Sequence, residues 1–143
     1  MTAPSIGIKD LLVAASLGTF NTPPSGSWPI YLSKLPAEPD QCIAIFDTGG
    51  RDPDPKWLLD YPDITIMVRA KGFVDANAKI RNVRSKLQGL FSQDINGDRW
   101  VSLTQQGDIA NAGHDEKDRQ LLTVTFRLII EPASDAYTNR SPL

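Results

Sequence analysis

The stretch from Tyr61 to Phe91, YPDITIMVRAKGFVDANAKIRNVRSKLQGLF, constrains the fold most, because a strand pattern runs directly into a helix pattern. From Ile64 to Lys71 the side chains alternate, with Ile64, Ile66, Val68 and Ala70 on one face and Thr65, Met67, Arg69 and Lys71 on the other. That is the two-residue period of a half-buried strand. Pro62 marks where the strand can begin. Gly72 breaks the alternation, and the apolar positions become Phe73, Ala76, Ile80, Val83, Leu87 and Leu90, three and four apart. At roughly 100° per residue they form one helical stripe facing a core. Burying it stabilises by on the order of 10 kcal/mol before entropy is subtracted, at roughly 1.5–3 kcal/mol per large side chain. The other face carries Asp75 in the first turn and Lys79, Arg81, Arg84 and Lys86 later, matching the helix dipole at both ends. It reads as solvated. A nucleic-acid patch using Arg69, Lys71, Lys79, Arg81 and Arg84 would want aromatic interleaving and a basic excess that the chain does not have.

The chain has 143 residues, a single-domain length able to bury roughly two-thirds of its unfolded surface. Fifteen Lys and Arg against seventeen Asp and Glu leave a net charge of −2, so no global pull toward nucleic acid or anionic membrane is expected. Apolar residues at 41% with 22% charged describe an ordinary soluble globular protein. No apolar run approaches the roughly eighteen residues of a membrane span, and MTAPSIGIKD has no basic region ahead of an apolar core. The expectation is a protein made and kept in a cytosol, or in something assembled there. The single Cys42 lies in the apolar run CIAIF, which reads as a core position and excludes a disulfide within the chain.

Residues 5–17 read as a helix with Ile8, Leu11, Leu12 and Ala15 on one face, Ser5 as N-cap and Gly18 as C-cap. TFNTPPSGS at 19–27 is a loop. Trp28 to Leu35 is a short strand candidate, and Gln41 to Asp47 a strand covered on both faces. TGGRDPDPKWLLD follows, rich in Gly, Pro and Asp yet carrying Trp57, Leu58 and Leu59. Those three side chains are costly to leave in water, so they either fold back onto the core or touch a second subunit. Asn96-Gly97 signals a tight turn, followed by a strand from Trp100 to Gln105 with Val101 and Leu103 inward. QGDIANAGHDEKD at 106–118 reads as a second long polar loop. In the last strand Leu122, Val124, Phe126, Leu128 and Ile130 alternate with Thr123, Thr125, Arg127 and Ile129 until Pro132. The expectation is one α+β domain over 1–131, a mainly antiparallel sheet of about five strands with two helices on one face, and an exposed C-terminal tail over 132–143.

Asp47-Thr48-Gly49 after an apolar strand resembles the catalytic loop of retroviral-type aspartic proteases, in which each of two subunits gives one Asp. That family also has a second apolar pair ending in Gly near its C-terminus, whereas here Ile129-Ile130 runs into Glu131-Pro132. Asp94, Asn96 and Asp98 have the spacing of a calcium loop, but Arg99 replaces the needed Gly and Gln105 the bidentate Glu. His114 is the only histidine, so a zinc site has no second ligand of that kind. No Gly-Lys-Ser or Gly-Lys-Thr follows the glycines. The residues give no active site, no metal site and no cofactor site.

An N-terminal helix ahead of Ile-Tyr-Leu-Ser-Lys-Leu-Pro at 30–36, the PDQCIAIFDTGG segment through Gly50, and the strand and helix from Ile64 to Leu90 ending Leu-Gln-Gly-Leu make one set. Gln105-Gln106-Gly107, the acidic region at Asp115 and the strand Leu121 to Glu131 complete it. Together they resemble the tail terminator proteins of long-tailed bacteriophages, also called minor capsid or tail completion proteins. The resemblance implies a structural protein of the virion tail or neck: a closed homo-oligomeric ring, usually of six. The ring would cap the tail tube, stop its polymerisation, and offer its other face to neck or head–tail connector proteins. DNA would pass through the lumen without being read, and no cofactor or membrane is involved. Such a ring needs two different lateral surfaces on each subunit. The candidates are the loops at 49–60 and 106–118, through Arg51, Asp52, Trp57, Leu58, Leu59, Ile109 and His114, with Trp57 as anchor. A head–tail connector of the neck is the alternative within assembly proteins, and the dimeric protease using Asp47 the alternative of another class.

Overall fold

The computed structural model describes residues 1–20 and 27–143; the expected loop at 19–27 lies largely outside them. Its elements are α1 (Pro4–Ala14), β1 (Ile30–Leu32), β2 (Cys42–Arg51), β3 (Tyr61–Ala70), α2 (Phe73–Leu87), β4 (Leu90–Ile95), β5 (Asp98–His114) and β6 (Gln120–Glu131). The strands form one sheet in the order β1-β2-β3-β6-β5-β4. The α+β class holds, but the sheet has six strands rather than five and is mixed, because β1 pairs with β2 in parallel.

The alternating sequences of β3 and β6 build the centre. Ile64, Ile66 and Val68 stand opposite Phe126, Val124 and Leu122. On the other side of β3, Ile45 and Ile43 face Ile66 and Val68. All are buried, as are Ile8 and Leu12 of α1 and Ala76, Ile80, Val83 and Leu87 of α2, in one cluster on one face of the sheet. The helical stripe is therefore buried over four of its expected positions. Phe73 stays half exposed in the first turn, and Leu90 belongs to β4.

The sixth strand escaped the period test for a physical reason. Within LFSQDI, Ser92 takes a φ of 52°, and β5 slips its register between Trp100 and Ser102. The extra residue turns Trp100 and Leu103 inward, both nearly fully buried, and leaves Val101 half buried where it was expected inside. Residues 106–114, read as loop, continue β5 and form an arm with β6. Register slips between Gln106 and Ala110 and between Asn111 and His114 interrupt its alternation. β2 likewise runs on through Thr48–Arg51, past a slip between Asp47 and Gly50. Gly50 is required there, since its φ is 121° and a Cβ would meet the Tyr61 carbonyl oxygen at 2.2 Å.

The parallel β1–β2 pair is joined by nine residues without a helix, short for a parallel crossover. Two buried guanidinium groups hold that connection. Arg69 donates from Nε to the Asp40 carbonyl at 3.2 Å and from Nη2 to the Pro39 carbonyl at 2.6 Å. Arg119 donates from Nη1 to the Ala37 carbonyl at 2.7 Å. Both faces of the CIAIF strand are thus covered, and Cys42 is fully buried, where desolvation pushes its thiol pKa up. At the other end of the chain, residues 133–139 are mostly exposed, but Arg140 and Ser141 lie against the β2–β3 connection.

Candidate interaction surfaces

Five of the residues expected to make contacts fall together on the β2–β3 connection. Arg51, at the end of β2, is exposed with its guanidinium 5.1 Å from the Tyr61 ring centre, and Asp52 beside it is exposed. Asp54 then closes a tight turn by accepting the amides of Lys56 and Trp57, both at 2.8 Å. The Trp57 amide and then the Lys56 amide hold its carboxyl below the usual pKa. Trp57 remains 37% exposed with the Lys56 ammonium 4.8 Å from its ring, Leu58 is 3% exposed, and Leu59 is half buried. The turn therefore splits the apolar triplet, sending Leu58 into the protein and presenting Trp57.

The C-terminal segment completes this surface, which sequence reasoning left as a free tail. Arg140 donates from Nη1 to Asp60 Oδ1 at 2.7 Å and to the Asp54 carbonyl at 3.0 Å. The Ser141 amide donates to the Lys56 carbonyl and its carbonyl accepts the Leu58 amide, both at 2.9 Å. The Asp-Pro-Asp-Pro run of this loop was the available signal, since Asp is the side chain that caps turn amides.

Ile109 and His114 lie elsewhere, on the outer half of β5. Ile109 packs partly against the core, and His114 is exposed opposite Gln120. The tip of this arm is pinned by Asp115, which accepts the Arg119 amide at 2.9 Å, the Arg119 Nε at 2.8 Å and the Lys117 amide at 3.0 Å. Arg119 reaches on to Asp40 at 3.4 Å, and Lys117 pairs with Glu38. The two candidate groups stand at opposite ends of the strands: β2 turns into β3 at one end, and β5 into β6 at the other.

The catalytic reading of Asp47 meets a different geometry. Its carboxylate accepts the Ser5 amide at 3.0 Å and the Ser5 hydroxyl at 2.6 Å. Ser5, expected to cap α1 with its own side chain, instead sits second in a helix begun by Pro4, and Asp47 supplies the acceptor from β2. Asp98, the last member of the calcium spacing, is buried and accepts the amides of Thr2 at 3.1 Å and Ala133 at 2.8 Å. The basic residues are likewise engaged. Arg69 is buried, Lys71 pairs with Asp40, and Arg84 pairs with Asp108. Lys79 donates to the Leu17 carbonyl at 3.0 Å, and burial lowers its pKa. Among the described residues no cluster of His, Cys, Asp and Glu could hold a metal ion, and no helix is long and apolar enough to cross a membrane.

The described residues form a mixed sheet backed by two helices, with polar groups joined in structural pairs and exposed aromatic side chains at Trp57, Phe73, Phe91 and Tyr137. The chain belongs to the bacteriophage tail terminator family, described as "Bacteriophage tail terminator protein", whose sequence model matches residues 10–132. It is accordingly a structural tail protein of the phage virion. No curated protein matches it. Among solved structures it is similar to a chain from the virion of a native gene transfer agent particle, at 20% identity and a TM-score of 0.65. That match covers 90% of this chain and 95% of the other. A second solved chain, at 10% identity, gives a TM-score of 0.51 over 78% of this chain and 85% of its own. Both likenesses concern the fold.

Proposed function

We propose that the protein assembles into a closed homo-oligomeric ring of six that caps the tail tube, stops its growth and presents a docking face to the neck or head–tail connector. The family match over residues 10–132 carries this reading. The similarity of fold to a chain of an assembled gene transfer agent virion supports it. The two groups of exposed residues fit such a role by position. The Trp57 loop with Arg51, Asp52 and Leu59 lies at one end of the strands, and the arm bearing Ile109 and His114 runs toward the other. In a ring, opposite ends of the subunit face what lies above and below, so the Trp57 loop meets the tube or the neck, while the strand edges beside it and along the arm are left to the neighbouring subunits. Leu58 is left to the core. DNA crosses the lumen unread, consistent with the net charge of −2, because dense phosphate contacts would retard its passage.

Native mass measured over a range of protein concentrations, with end-on electron micrographs, tests the ring. A closed species of six is expected. Trp57→Ala should leave that species intact while abolishing binding to tail tubes or to the neck partner, because a central aromatic can carry about 2 kcal/mol or more of an interface. A chain that stays dimeric or monomeric, also when tubes are present, would overturn the reading.

A further inference from the structure

The sheet has two strand edges that stop being covered at the same level. On one border, β1 pairs with β2 only as far as Ile45, so the outer edge of Phe46–Arg51 has no strand partner among the described residues. On the other, β4 pairs with β5 only from Asp98 to Leu103, which leaves the outer edge of Gln105–His114 without a strand partner among the described residues, with the Gln105 amide alone taken by the Gln88 side chain at 2.6 Å. Asp47, Ile64, Phe126 and Gln105 lie on one row across the sheet, so both edges open at that row and run away from it in opposite directions. β2 and β5 are themselves antiparallel, since three successive antiparallel pairings separate them.

We infer that these edges join between copies of this chain, with Phe46–Arg51 of one subunit adding antiparallel to Gln105–His114 of the next. The inference rests on the ring reading above and supplies its lateral contact. The pairing is heterologous, one border against the other, which is what a cyclic ring requires. Its stagger also suits closure. Carried through the register onto β3, the two free stretches span Tyr61–Thr65 and Ile64–Ala70, so their midpoints lie about four residues apart, roughly 13 Å at ~3.3 Å per residue, while four strands at ~4.8 Å advance roughly 19 Å around the ring. The implied strand tilt is roughly 35°, at the lower end of the ~35–45° at which sheets close into barrels.

The edges are also selective. Each contains a register slip, between Asp47 and Gly50 in β2 and between Gln106 and Ala110 in β5, and such kinks refuse a flat partner of arbitrary sequence. The charges at the edges are complementary. Arg51 is exposed at the end of β2, and the Asp108 side chain on the arm is 80% exposed even while paired with Arg84.

Paired cysteines test the contact. Thr48→Cys is combined in turn with Gln106→Cys, Ile109→Cys, Ala110→Cys and Ala112→Cys in the full chain, whose own Cys42 is buried. A bridge within one subunit is out of reach, because β3 and β6 hold the two edges roughly 14 Å apart at ~4.8 Å per strand, against a Cα limit of ~7 Å for a disulfide. The expected result is that at least one pair gives, after oxidation, a ladder of covalent oligomers ending at the ring size on a denaturing gel, while the single variants give none beyond dimers. Closed rings by native mass with no ladder from any pair would overturn the edge contact and leave the ring standing. A monomer at every concentration with no ladder would overturn both.

Discussion

The two oxygens of Asp47 hold Ser5 by its amide and its hydroxyl, and Ser5 is 3% exposed in the first turn of α1. That turn has orphan amides and a positive dipole end, so a carboxylate reaching it from β2 acts as an N-cap supplied by another element. Removing it by Asp47→Ala leaves a buried amide and hydroxyl without acceptors and should lower stability by about 1–2 kcal/mol. Asp47→Asn keeps one acceptor oxygen and should cost less. Urea unfolding monitored by circular dichroism reads both, and an unchanged midpoint for Asp47→Ala would show that the cap contributes nothing. Sequence placed Asp47 at the end of an apolar strand that in fact runs on to Arg51; its partner lies 42 residues away, a separation at which no local spacing rule operates. The same limit hid Arg69 and Arg119, since the carbonyls they hold are 30 and 82 residues distant.

Among the elements, β3, β6 and α2 were legible because one face of each is buried and its side chains repeat with an unbroken period. The outer half of β5 was not. Its register slips break the two-residue period, and its side chains are mostly exposed, so the polar arm looks like a loop until its pairing with β6 is known. The arm's tip has a measurable dependence on acid. The Arg119 amide holds the Asp115 carboxyl below its usual pKa, aided by the Arg119 side chain and the Lys117 amide. A carboxyl depressed in the folded state adds stability that is fully present above the unfolded value of about 3.9 and is lost as pH falls below it, through the folded value. Melting temperature should therefore be nearly flat from neutral pH down to about pH 5 and fall below about pH 4. Asp115→Asn should melt lower than wild type at neutral pH and lose less on acidification. An acid slope identical in the two proteins would rule out Asp115 as a contributor.

For the whole molecule, the C-terminal segment and the Trp57 loop form a unit set apart from the sheet. The family match ends at residue 132, and the strand pattern ends at Glu131. Beyond it, Arg140 and Ser141 contribute four hydrogen bonds of 2.7–3.0 Å to a loop that has no strand partner of its own save single bridges. The sheet's core does not depend on these contacts, whereas the shape of the loop does. Ending the chain after Ser134, which keeps the Ala133 amide on the buried Asp98 carboxylate, should leave circular dichroism and the exchange protection of β3 and β6 unchanged. The Leu58 amide, which now donates to the Ser141 carbonyl, should exchange at least tenfold faster, a change of about 1.4 kcal/mol in its local opening. Arg140→Ala should reproduce part of that effect without shortening the chain. Because Trp57 sits on the same turn, both variants should, under the proposed function, also weaken attachment to the tube or neck while leaving the proposed ring intact. Faster exchange across β3 and β6 as well would mean that the segment belongs to the core and that loop and sheet open together.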